Sequence, residues 1–193
     1  MKGNEFSIMQ RIEKQDYYLN IADAVSKRST CLRKHYGAVI VNNDEIISTG
    51  YNGAPRNVES CYDTNICIRD NLNIPSGENY EMCMAVHAEA NAIISASRKS
   101  MIGSTLYLCG RDASTGKLIS TMPCIMCIRL IINAGIKYVI TSTDNGIHKI
   151  NENLTKYSPQ VFDVNDWIKC FYNVVANNQY AKLNEKKLVS SSE

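Results

Sequence analysis

The stretch "AVHAEANAII", Ala85 to Ile94, decides how the chain is read. Its Ala and Ile content marks a helix bound for an interior, yet His87 and Glu89 stand in its first turn, two residues apart. Polar groups are costly inside a protein unless they bond to something, so this pair needs a reason. About 35 residues downstream, "PCIMCIRLIINAG" opens another helix, with Pro123 tolerated at its start and Gly135 suited to its C′ position. Cys124 and Cys127 lie three apart there, so both sulfurs can face the same way. The positive end of the helix dipole also favours thiolates.

Taken singly, neither half is decisive. A CxxC serves equally as a redox pair, half of a zinc knuckle or two core thiols, and a lone helical His is more often structural than a ligand. Together, one His and two Cys give zinc three protein ligands and leave its fourth tetrahedral position to water, the arrangement of a catalytic site. Zinc lowers the pKa of such a water from about 16 to about 7. Glu89 is then an unligated carboxylate close by, placed to shuttle protons. The polar pair begins the helix because it must reach a metal while the rest is buried.

Working outward, Tyr18, Ile21, Ala22 and Val25 fall at i, i+3, i+4 and i+7 between Gln15 and Ser26, an amphipathic helix. "GAVIVNNDEIISTGYNG" carries two β-branched runs around Asn42-Asn43-Asp44 and reads as a β-hairpin. A loop rich in Asn, Pro and Cys extends to about Tyr80, with a short helix near Ile68 to Leu72. The Ala85 helix ends near Ser97 or Lys99. "STLYLCG" and "IKYVITS" are strands, "RDASTGKLIS" a turn or hairpin excursion, and "PQVFDV" one more strand. "DWIKCFYNVVANNQYAKLNEKK" reads as a helix before a frayed end. Helices alternating with single strands indicate a layered α/β domain. The boundaries expected are a domain over 15–165 and a C-terminal helical extension and tail over 166–193.

The chain has 193 residues, 45% hydrophobic, enough for a substantial core. A formal net charge of +2 gives no sign of a nucleic-acid-coating or membrane-surface protein. Charges scattered through "MKGNEFSIMQRIEKQ" leave no apolar signal region, and no window approaches about 18 uninterrupted apolar residues. The expected compartment is cytoplasmic, where eight cysteines act as ligands or buried thiols more readily than as disulfides.

H-x-E followed by P-C-x-x-C is the signature of zinc nucleobase deaminases. From about Tyr18 to Ser142 the chain resembles the deoxycytidylate (dCMP) deaminase family, including its competence-operon relatives. The resemblance is carried by "RSTC" (Arg28 to Cys31), "GAVIV", "GYNGAP" (Gly50 to Pro55), "IPSGENYEMC", "VHAEANAI", "PCIMC" and "IINAGIK". It implies a cytidine deaminase-like three-layer α/β/α sandwich with a mixed sheet of about five strands. It also implies hydrolysis of dCMP to dUMP and ammonia, feeding thymidylate synthesis. In the family mechanism Glu89 deprotonates the metal-activated water, hydroxide adds at C4 of cytosine, and Glu89 then protonates N3 and the leaving ammonia. His87, Cys124 and Cys127 would hold the catalytic zinc.

The resemblance further implies substrate contacts at Asn52, Ala88 and Arg98. Asn52 matches a deoxyribose contact, although "NG" is also an ordinary turn of residues that tolerate positive φ. Arg98 matches a position near the substrate phosphate in a phage relative, although an Arg in a last helical turn also suits the dipole. Gly50, Tyr51, Asn52 and Gly53 would border an effector site for dCTP and dTTP, with Mg2+ accompanying the effector. Relatives are commonly hexamers. Cys31 and Cys61 match ligands of a structural zinc in the phage enzyme, and Cys67 and Cys83 would complete a closed Cys₄ site here. The alternative is four buried thiols. Cys109 and Cys170 read as buried thiols, and His35 and His148 as surface or loop residues.

Two departures touch the substrate more than the chemistry. The segment between Leu106 and Pro123, "CGRDASTGKLISTM", is longer than usual for the family and enters above the metal. "TSTDNG" lacks a Tyr that many relatives carry near the nucleotide. The rivals are therefore a zinc deaminase of another nucleotide, base or nucleic acid, and an idle zinc-stabilised accessory to DNA uptake. Near-neutral charge weighs against a polynucleotide, and an intact Glu89 against an idle site.

Overall fold

Asn43 and Asp44 both adopt left-handed backbone, with φ of 49° and 64°. Such a two-residue turn matches the twist of a tight hairpin, and it joins β1 (Lys34–Asn42) to β2 (Glu45–Tyr51) in antiparallel register. The computed structural model describes residues 11–75, 77–143, 148–150, 153–155 and 160–169, the backbone alone for 148–150, 153–155 and 160.

β1 also pairs antiparallel with β3 (Thr105–Asp112), and β3 pairs parallel with β4 (Tyr138–Thr141). A short ribbon of β5 (His148–Ile150) and β6 (Asn153–Thr155) stands apart. β7 (Gln160–Asp163), the strand expected in "PQVFDV", closes the far edge antiparallel to β4. The mixed five-stranded sheet runs β2-β1-β3-β4-β7.

The period-2 alternation of strands sorts the core into two layers. Ala38, Ile40, Leu106 and Leu108 face one side, where α4 (Ala88–Ile94) and α6 (Ile125–Ala134) cover them. Val39, Val41, Tyr107 and Cys109 face the other, beneath α1 (Lys14–Ser26). The result is the expected α/β/α sandwich. α6 is the crossover of the parallel β3–β4 pair, and Gly135 ends it at φ 83°. α1 turns further than its pattern suggested: Tyr18, Leu19, Ala22, Asp23 and Ser26 are buried, whereas Ile21 and Val25 are only partly so.

The helix expected from Ala85 to about Ser97 is shorter and broken. Val86 is taken by the sheet side, exchanging backbone hydrogen bonds with Gly53 at 2.8 and 3.2 Å. α4 therefore starts at Ala88 with His87 as its N-cap. After Ile94 the chain restarts as α5 (Arg98–Met101), capped by Ser97, whose side chain accepts from the Ser100 N–H. α4 lies directly on β2 because Gly50 has no side chain; a Cβ there would run into the backbone of Ala88 and Ala92. Ser48 Oγ donates to the Ala92 carbonyl (2.7 Å) and Asn91 Nδ2 to the Tyr51 carbonyl (2.8 Å), fixing that contact.

The long segment after Leu106 prolongs β3 into a hairpin. Asp112 Oδ1 accepts from the Ser114 and Thr115 backbone N–H groups, and Arg111 bridges to Leu118. Arg111 also reaches back to buried Asp23 on α1 and holds the Gly116 carbonyl. Residues 164–169 are helical, and Val164, Trp167 and Ile168 pack on the main core. The rest of the extension, Cys170 included, lies outside the described residues. Among the described residues no helix is long and apolar enough to cross a membrane.

Candidate functional site: a three-ligand metal centre

Helix N-termini build the site. His87 caps α4 and Cys124 caps α6, both with extended backbone, and Cys127 follows one turn into α6. Cys124 Sγ and Cys127 Sγ each lie 3.4 Å from His87 Nδ1. Tetrahedral zinc with bonds of about 2.1 Å to N and 2.3 Å to S separates its ligands by roughly 3.6 Å, so the donor set fits. Among the described residues, this is the group that brings three ligand atoms within 4.8 Å of one another.

The thiols are already polarised. The hydrogen bond from Cys127 drives the Cys124 thiol far down, with His87 assisting, while the same bond and burial drive Cys127 up. The bond to Cys124 raises His87 against its desolvation. Glu89 is 5% exposed, and burial pushes its carboxyl up despite the opposing pull of its own backbone N–H and of His87. A carboxyl raised in this way exchanges protons more readily near neutral pH than an ordinary one.

These groups open on a cavity of about 570 Å³, a size suited to one small ligand. Sequence reasoning missed three of its residues. Tyr36 is held at about pKa 12, by burial first and Glu89 second. The Tyr80 ring stands edge-on to His87 with centroids 5.1 Å apart. Arg69 lies behind Tyr80, its guanidinium 5.1 Å from that ring's centroid. Only their folded positions reveal them, since no local spacing links them to the motif.

Asn52 lines the cavity, but not as a turn residue: neither it nor Gly53 has positive φ. Its Oδ1 accepts from the Tyr36 N–H (2.7 Å) and its Nδ2 donates to the Lys34 carbonyl (2.9 Å), stitching the loop to β1. Ala88, the first residue of α4, is fully buried. Arg98 begins α5 rather than ending α4; it is exposed, outside the cavity, and gives its Nε to the Asn133 carbonyl (3.0 Å). Tyr51 is 38% exposed. Of the segment 109–122, Met122 alone lines the cavity, so the hairpin forms no other part of its wall.

Cys31, Cys61, Cys67 and Cys83 line the same cavity, half-buried. Burial and then repulsion from the other three raise the Cys61 thiol, so the four stand near one another without converging as the first cluster does. Cys109 is buried, as expected, its thiol 3.9 Å from Asp23 Oδ1. His35 sits on β1 with Nε2 2.9 Å from the Cys31 carbonyl oxygen.

Residues 12–143 match the family described as "Cytidine and deoxycytidylate deaminase zinc-binding region". The chain belongs to this family. It is 36% identical over 137 residues to a deoxycytidylate deaminase of Mycobacterium phage D29, covering 68% of this chain and 96% of that one. It is 32% identical over 127 residues to the deoxycytidylate deaminase of Schizosaccharomyces pombe, covering 66% of this chain but 36% of the yeast protein. The dCMP deaminase of cyanophage S-TIM5 in apo form is similar at 28% identity and a TM-score of 0.49, over 69% of this chain and 86% of that one. The family is described by its zinc-binding region, and the His87, Cys124 and Cys127 cluster is the group among the described residues whose geometry suits a metal ion.

Proposed function

We propose that the chain catalyses hydrolytic deamination of dCMP to dUMP and ammonia. The observation carrying this reading is the convergence of His87, Cys124 and Cys127 beside buried Glu89 in a cavity of nucleotide size. The near-complete coverage of a phage protein named deoxycytidylate deaminase supports the substrate. When bound, zinc supplies the Lewis acidity that makes water nucleophilic near neutral pH. The chain does the rest. Glu89 takes the proton released as water adds at C4, returns one to N3, and assists the amino group as it leaves as ammonia. Tyr80 and Tyr36 wall the site and keep bulk water from the ring.

We carry three finer readings with it. Cys31, Cys61, Cys67 and Cys83 close on a second, structural zinc. The Gly50–Gly53 loop borders a nucleotide effector site, for dCTP or dTTP with Mg2+. The chain assembles with copies of itself, a hexamer by family resemblance. The exposed Ile125, Met126 and Leu130 of α6 and Ile94 of α4 support assembly.

An ammonia-release screen over dCMP, CMP, dCTP and deoxycytidine tests the activity. Turnover should be greatest with dCMP; preference for another substrate moves the reading, and release from none removes it. Light scattering on the eluting protein tests assembly, a monomer being the adverse result.

A further inference from the structure

One charge in the cavity is used neither by the deamination chemistry nor neutralised by the fold. Arg69, in the short α3 (Ile68–Asn71) that follows α2 (Cys61–Thr64), is 8% exposed. Its Nη2 donates to the carbonyls of Pro75 (2.6 Å) and Glu78 (2.7 Å), and its guanidinium faces the Tyr80 ring. Its Nε is buried with no hydrogen-bond partner. Among the described residues no carboxylate lies within ion-pair distance of it. Carbonyl dipoles and a ring face soften a full positive charge without cancelling it, and a buried unpaired charge is expensive to keep.

Its surroundings say what would complete it. Arg69 lines the cavity that His87 and Glu89 also line, and the Tyr80 ring is a neighbour of both Arg69 and His87. The guanidinium therefore stands no more than two such spacings from the His87 imidazole, within a nucleotide's reach from its base to its 5′-phosphate. The neighbouring cation, Arg33, is already engaged by Asp70 (3.2 Å) and the Ile74 carbonyl (3.2 Å). Lys34 stands at the wall as a second positive charge. A guanidinium presents a planar fork that pairs well with phosphate oxygens.

We infer that Arg69 is the anion-receiving group of this cavity, taking the 5′-phosphate of the substrate while the base occupies the His87–Glu89 end. The inference rests on the proposed nucleotide deamination and names the residue that distinguishes nucleotide from nucleoside. It also assigns to α3 the contact that the sequence resemblance gave to Arg98.

The test uses zinc-loaded Arg69→Gln and Arg69→Lys proteins, with ammonia release from dCMP and from deoxycytidine as readout. Losing a hydrogen bond to a charged group costs about 1.5–3 kcal/mol, or roughly 10- to 150-fold. Arg69→Gln should lower kcat/KM for dCMP by about that factor, mainly through KM, and change deoxycytidine by less than about threefold. Arg69→Lys should fall between, keeping the charge but losing the fork. Equal losses on both substrates would assign Arg69 to holding the loop and overturn the inference. Should the protein release ammonia from neither, binding of 2-deoxyribose 5-phosphate still decides. Weaker binding in both variants upholds the inference while the deaminase reading falls; unchanged binding overturns it. In the unsubstituted protein, the Arg69 Nε resonance should shift with 2-deoxyribose 5-phosphate and not with 2-deoxyribose. No shift with the phosphate ester refutes the inference even if the variants do not fold.

Discussion

Two groups of cysteines stand around one cavity, Cys127 buried behind its wall, and only one of them converges. Cys124 and Cys127 ride on a ten-residue helix packed against the sheet, opposite a histidine that caps a second packed helix. Cys31, Cys61, Cys67 and Cys83 come from loops, four-residue helices and the end of the single turn Tyr80–Met82. The first group is positioned by the core before any metal arrives. The second sits on short, loosely anchored segments, so the structural zinc proposed for it would have to draw the four thiols together, as in small domains where metal binding supplies folding energy. Preorganisation thus follows from what anchors a thiol, not from how many thiols are present.

Substitution can break this contrast in graded steps. Cys124→Ser should have the largest effect, removing one zinc per chain by metal analysis and taking ammonia release to background. Retained metal with full activity would show that α6 is not the anchor. Glu89→Gln should keep the metal and the melting temperature yet lower turnover by about 10²–10⁴, the usual scale of general acid–base help; near-normal turnover would refute its proton role. Gly50→Val tests the anchoring itself, because a side chain there pushes α4 away from β2. Overpacking of this kind costs about 1–3 kcal/mol, and each kcal/mol lowers Tm by about 2–4 °C in a chain of this size. His87, the proposed metal ligand, should move with α4, so zinc affinity should weaken in parallel; a stable variant with unchanged affinity would separate the centre from the packing. The smallest effect belongs to Cys61→Ser, which should lower bound zinc from two to one while dCMP turnover changes only a few-fold. One zinc in the unsubstituted protein would leave the four thiols as thiols.

The parts legible in the sequence are those governed by local periodicity. The hairpin followed from β-branched runs around Asn43 and Asp44, and the metal cluster from two short motifs at helix starts. Places where a distant partner wins were not legible. Val86 reads as helix but pairs with Gly53, delaying α4 until Ala88. Asn52 reads as a turn but spends its amide on β1. Arg69 and Tyr80 carry no local sign of the metal centre, because a loop of some twenty residues brings them to it.

The hairpin after β3 has a practical corollary. Its turn hangs on Asp112, whose carboxyl is held near pKa 2, first by the Ser114 hydroxyl and then by Thr115. Because Ser114 to Lys117 are exposed and none of them lines the cavity, a fluorescent label or affinity handle attached there would ride outside the reaction chamber, making the loop a convenient attachment point for following this protein.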